Sequence, residues 1–120
     1  MSSKMKKLTD CIKQLETNSE VDGCALVSAK GQVMASALHK DVDEKAVSAM
    51  SAALVSIGSR VGSALESGTP RNIVIEGSDK TVIVRRVADA AIIATAPSDA
   101  KIGLIDFEMD RTAGEVKEIL

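Results

Sequence analysis

From Ala46 to Ser59 the chain runs without a single charged residue, inside the longest helical pattern of the sequence. A helix on the surface of a monomer carries charge on its outer face. A helix without it has to cover something on more than one side. Met50, Leu54, Ile57, Val61 and Leu65 recur at spacings of three and four and are expected to form its core stripe. A second stripe, Ala49, Ala52, Ser56, Ser59 and Ser63, lies roughly 130° around the helix. Gly58 and Gly62 occupy a third side. Small side chains let another backbone approach closely. The Ala/Ser stripe is therefore expected to face a second copy of the chain. A mildly polar solvent face is the plainer alternative.

The elements around this helix follow from periodicity and punctuation. Met5, Leu8, Ile12 and Leu15 make one face of a helix over residues 4–17. Two short apolar runs, 24–28 and 32–36, flank the Lys30-Gly31 turn signal and read as a hairpin. Asp41 or Asp43 can cap the long helix, which is expected over 44–67. Gly68-Thr69-Pro70 should end it, glycine by accepting a left-handed cap and proline by forbidding continuation. Strands are expected at 72–76 and 81–85, joined by a loop at 77–80, and at 90–96. They are apolar at consecutive positions, which suits a sheet covered on both faces. Ile105, Met109, Ala113, Val116 and Leu120 mark a last helix over 102–120, weakened at Gly114 by about 1 kcal/mol relative to alanine. The order is α-β-β-α-β-β-β-α, an α/β (α+β) arrangement of one five-stranded sheet with helices on both faces. With 120 residues, no repeat and no linker, residues 1–120 form one domain.

The core must be assembled from small side chains, since the sequence holds one Phe and neither Trp nor Tyr. Few aromatics and a net charge of −2 speak against nucleic-acid binding. Lys4, Lys6 and Lys7 are the only basic cluster and read as a solvated helix face, with a weak attachment to an acidic surface as the alternative. No stretch approaches a membrane span, and Met1 to Lys7 leads into no apolar signal core, so the chain is expected in the cytoplasm. Cys11 and Cys24 are too far apart for a redox pair and read as small apolar fillers.

Motifs of chemistry are missing. There is no phosphate loop, dinucleotide fingerprint, HExxH, GxSxG or paired-cysteine metal spacing. His39 with Asp41 and Asp43 could in principle hold a metal, but one His and two carboxylates in a loop read better as surface polarity. No enzymatic activity, metal or cofactor is expected. Of Arg85 and Arg86, one must point to each face of the sheet. They either end the strand at a solvated edge or meet an acidic surface of a partner.

The run Val21 to Val33, with Gly23 ahead of Ala25-Leu26-Val27-Ser28 and Gly31 at the turn, resembles the first hairpin of the roadblock family, named for the dynein light chain. The uncharged Ala/Ser helix stands at the matching distance. Ala94 to Ile105, with Gly103-Leu104 entering the last helix, is similar to the family's ending. Lys30 departs from the acidic residue usual before the turn glycine. The resemblance covers nearly the whole chain. It implies an antiparallel sheet ordered 2-1-5-4-3, the long helix on one face and the terminal helices on the other. It implies a homodimer paired through the third strand, here Asn72, Ile73, Val74, Ile75 and Glu76, together with the long helix. It also implies a non-catalytic scaffold or regulator of a small Ras-like GTPase. Arg60, near the exposed side of the long helix, is the candidate for an arginine offered to that partner, against the reading of a plain surface charge. A heterodimer with a related chain, a small-molecule sensor and a structural subunit of a larger assembly stay open as alternatives.

Overall fold

The computed structural model describes residues 3–120; Met1 and Ser2 lie outside the described residues. The elements are α1 (Ser3–Asn18), β1 (Gly23–Val27), β2 (Val33–Ala37), α2 (Glu44–Ala64), β3 (Asn72–Glu76), β4 (Lys80–Val87), β5 (Ala90–Pro97) and α3 (Ile102–Ile119). The strands form one antiparallel sheet in the order β2-β1-β5-β4-β3. Element order and sheet order are those expected from the sequence and its resemblance.

Strand alternation divides the core into two layers. On one face Ile83, Val87, Ile92 and Ala94 meet Leu8, Ile12 and Leu15 of α1 and Ile105, Met109 and Val116 of α3. On the other, Ala25, Val27, Val84, Ala91 and Ile93 meet Val47, Leu54 and Val55 of α2. The consecutive apolar runs of β1 and β5 are explained by this double cover; all five residues of β1 are buried. β3 departs from that expectation. It is an edge strand, paired only with β4, and Val74 and Ile75 are each 44% exposed.

α2 begins where a carboxylate can serve its free N–H groups, with Ala46 N donating to Asp43 Oδ1 at 3.1 Å. It ends earlier than the glycine implied. The left-handed residue is Glu66, at φ 56°, one position past the Leu65 cap. Ser67 N donates to Gly62 O at 2.8 Å and Glu66 N to Ser63 O at 3.2 Å. These two bonds close a Schellman motif two residues before Gly68. The helix is thus closed before Gly68, which itself holds a left-handed φ of 84° two residues further on.

The sequence placed the large apolar stripe of α2 inward, and the structure reverses this. Met50 is 58% exposed, Ile57 55%, Val61 51% and Leu65 75%; only Leu54 is partly covered. The inward face consists of Val47, Ser48, Ser51, Leu54, Val55, Gly58 and Gly62. A Cβ on Gly58 would stand 2.6 Å from Ile73 Cδ1, and one on Gly62 would stand 2.7 Å from the Gly68 carbonyl oxygen. At Gly62 the 67–70 backbone lies too close for a side chain, and at Gly58 a side chain would have to push the end of Ile73 aside. The side of α2 that faces in thus combines three aliphatic residues, Val47, Leu54 and Val55, with small residues where the chain comes close.

Candidate functional site

The face built by α2 and β3 carries the features that sequence reasoning singled out, in a rearranged form. β3 offers one unpaired edge. Its side chains alternate, Ile73 and Ile75 on the α2 side and Asn72, Val74 and Glu76 on the α3 side. Along the same end of the fold, α2 presents Ile57, Val61 and Leu65 to solvent. An apolar edge strand beside an apolar helix flank is a surface that monomeric proteins normally blunt with charge or proline. Between Ile73 and Ile75 there is neither.

The Ala/Ser stripe occupies the opposite flank of α2. Ala52 and Ser59 are half-buried, while Ala49, Ser56 and Ser63 are exposed. Ala52, Ser56 and Ser59 line a groove of about 370 Å³ whose far wall is the end of the sheet, at Ser28, Ala29, Ala90 and Ala91. Arg86 and Asp89 bring both signs of charge into it. Arg86 Nε donates to Ala88 O at 3.1 Å across the β4–β5 turn. That turn holds Ala88 at φ 54°, a left-handed value unusual for alanine. Arg60 is exposed on the outward side of α2.

Arg85 and Arg86 do point to opposite faces. Arg86 reaches the groove, whereas Arg85 is 2% exposed and its acidic surface lies within the same chain. Its guanidinium donates to Asp106 Oδ1 at 2.5 Å, Asp110 Oδ1 at 2.9 Å and Asn72 Oδ1 at 2.8 Å. Asn72 Nδ2 in turn donates to Asp106 Oδ1 at 2.7 Å. This network fastens α3 to the first residue of β3, so the edge strand is held from behind by a buried cation with all of its partners in place. Composition gave no sign of it, because Asp106 and Asp110 read as ordinary polar positions of an amphipathic helix.

His39, Asp41 and Asp43 do not assemble into a metal centre. Asp43 is spent on the helix cap, and no group of three or more metal-binding side chains occurs among the described residues. Both cysteines are buried thiols. Burial raises the Cys11 thiol, with Glu115 and Asp10 adding to it, and pushes that of Cys24 up to about 12, with Glu16 contributing. Both shifts favour the neutral thiol over the nucleophilic thiolate. No helix among the described residues is long and apolar enough to cross a membrane.

A five-stranded 2-1-5-4-3 sheet with one long helix on one face, two terminal helices on the other and a bare third strand defines a roadblock-type domain. The chain belongs to the roadblock/LC7 domain family, whose pattern matches residues 7–96. Among its relatives, the uncharacterized protein MJ0310 of Methanocaldococcus jannaschii is 26% identical over 104 residues, covering 87% of this chain and 91% of that protein. Among solved structures it is similar to MglB of Myxococcus xanthus, with a TM-score of 0.88 at 17% identity over 99% of this chain and 91% of the other. An MglB structure with a tetrameric arrangement matches at a TM-score of 0.88 and 13% identity, over 99% of this chain and 91% of that one.

Proposed function

We propose that this protein is a non-catalytic homodimeric scaffold that binds and regulates a small Ras-like GTPase. The observation that carries the dimer is the unpaired strand β3 lying beside a helix flank that exposes Ile57, Val61 and Leu65. Pairing two copies through residues 72–76 joins their sheets and satisfies the edge N–H and C=O groups. The flank of α2 that carries Ile57, Val61 and Leu65 packs across the join, and the Ala/Ser stripe of Ala49, Ala52, Ser56, Ser59 and Ser63, on the other flank of the helix, is the further candidate for contact with the second copy. Burying apolar surface contributes about 25 cal/mol per Å², so a flank with four side chains more than half exposed is a substantial driving force.

Family membership and the similarity to MglB support the GTPase as partner. A scaffold can promote hydrolysis by arranging the GTPase's own residues around its nucleotide. Exposed Arg60 and the groove bearing Arg86 and Asp89 are available for that contact.

Light scattering over a concentration series tests the dimer. Val61→Arg is expected to yield monomers, because each copy would bring a cation to the join. An undiminished dimer in that variant removes the α2 flank from the interface. Ala52→Arg probes the Ala/Ser stripe in the same way. Capture of partners from native lysate in the presence of GTP or GDP tests the GTPase. Enrichment of a Ras-like GTPase in one nucleotide state supports regulation, and its absence in both refutes it. Arg60→Ala with unchanged GTP hydrolysis by that partner would exclude the inserted arginine.

A further inference from the structure

We infer that the cavity under the first turn of α2 binds a small zwitterion with an aliphatic side chain, the chemistry of an aliphatic α-amino acid. The cavity has a volume of about 310 Å³, at the small end for ligand sites. Leu38, Val42, Val47, Val82 and Ile93 supply apolar walls. A void lined by branched aliphatic groups forfeits dispersion contacts that a guest side chain would restore.

The mouth supplies the second half of the recognition. Asp22 and Lys80 form an ion pair there, with Thr95 beside them. Thr95 Oγ1 donates to Asp22 Oδ1 at 2.6 Å, and Asp22 N donates to Thr95 O at 2.9 Å. Asp22 is thus a fixed anion. Partial burial opposes its charge, but the hydrogen bonds from Lys80 and Thr95 outweigh this and hold its carboxyl below the usual carboxylate range. Both partners keep unused capacity, since a carboxylate offers about four acceptor sites and an ammonium three donors.

Opposite charges at one mouth select their mirror image. A ligand carboxylate alone would gain Lys80 but face the Asp22 anion. An amine alone would gain Asp22 and face Lys80. A zwitterion places its carboxylate on Lys80 and its ammonium on Asp22, and its side chain enters the apolar chamber. The pair by itself adds little to stability, because Lys80 is half exposed. The lining comes from Asp22, β1, β4, β5 and residues 38–47, His39 among them, with nothing from β3. The site therefore stands whether or not β3 pairs with a second copy, and it does not rest on the GTPase reading.

Methyl NMR of the full chain, titrated with L-leucine, 4-methylpentanoate and isopentylamine in parallel, tests the site. Leucine is expected to shift the Val47, Val82 and Ile93 methyl signals saturably. Each truncated analogue should bind at least about tenfold more weakly. Lys80→Gln, a change at a half-exposed position, should weaken leucine about tenfold while leaving the rest of the spectrum in place. Three results would overturn the inference: unmoved methyls at millimolar leucine, equal affinity for either analogue, or unchanged leucine affinity in Lys80→Gln.

Discussion

Removing Asp106 should unseat α3 and the edge strand together. Arg85 is 2% exposed and directs three N–H groups at Asp106, Asp110 and Asn72, and Asn72 also donates to Asp106. In Asp106→Ala the guanidinium stays buried with one anion fewer, and the Asn72 amide loses its acceptor. Stripping a partner from a buried ion pair costs about 3–5 kcal/mol. Asp106 is 37% exposed and Asp110 remains, so the cost here falls at or below the low end, about 2–3 kcal/mol. For a domain of this size that corresponds to a Tm lower by about 6–12 °C. Thermal unfolding followed by circular dichroism, at one fixed protein concentration so that self-association does not shift the midpoint, measures it. The double variant Arg85→Met/Asp106→Leu removes the charge with its partner. It should regain most of the loss, since apolar replacement of a whole buried pair is often close to neutral. A loss below about 0.5 kcal/mol in Asp106→Ala, within the range of ordinary surface changes, would refute the reasoning. So would a double variant as unstable as the single one.

Glu66→Gly should stabilise the chain by about 0.5–1 kcal/mol, since Glu66 holds a left-handed φ of 56° that glycine adopts freely; denaturant titration measures it. Ser48→Ala should be stabilising by about 1 kcal/mol in the same assay, because the Ser48 hydroxyl is buried without a hydrogen-bond partner. Cys11 and Cys24 should resist a thiol reagent at pH 8 in the folded protein and both react in denaturant. The Cys24 thiol has a higher pKa folded, about 12, than its ordinary value of 9.0. Its contribution to stability is therefore complete below pH 9 and is lost as pH rises towards 12, a loss that Cys24→Ala should lack in an alkaline unfolding series.

Much of the fold was legible because it depends on local period and punctuation. Leu8, Ile12 and Leu15 declare the buried side of α1, Lys30-Gly31 declares the first turn, and Asp43 declares the start of α2. The consecutive apolar runs of β1 and β5 announce strands covered on both faces. The family resemblance then supplied the strand order, which periodicity alone leaves open.

The orientation of α2 was decided only by the tertiary structure. Its apolar stripe is the strongest signal in the helix, and hydrophobic period equates such a stripe with the core. In the folded chain the small residues Ser48, Ser51, Gly58 and Gly62 face inward; the 67–70 backbone leaves no room for a Cβ at Gly62, and the Ile73 side chain crowds Gly58. The larger side chains at 50, 57, 61 and 65 are left outside, where an interface can use them. Likewise, Arg85 is a strand residue like any other until α3 brings Asp106 and Asp110 onto it from more than twenty positions away. A sequence determines which surfaces are apolar or charged through short-range spacing. Which of them meet depends on distances between elements, and those are set only when the whole chain has packed.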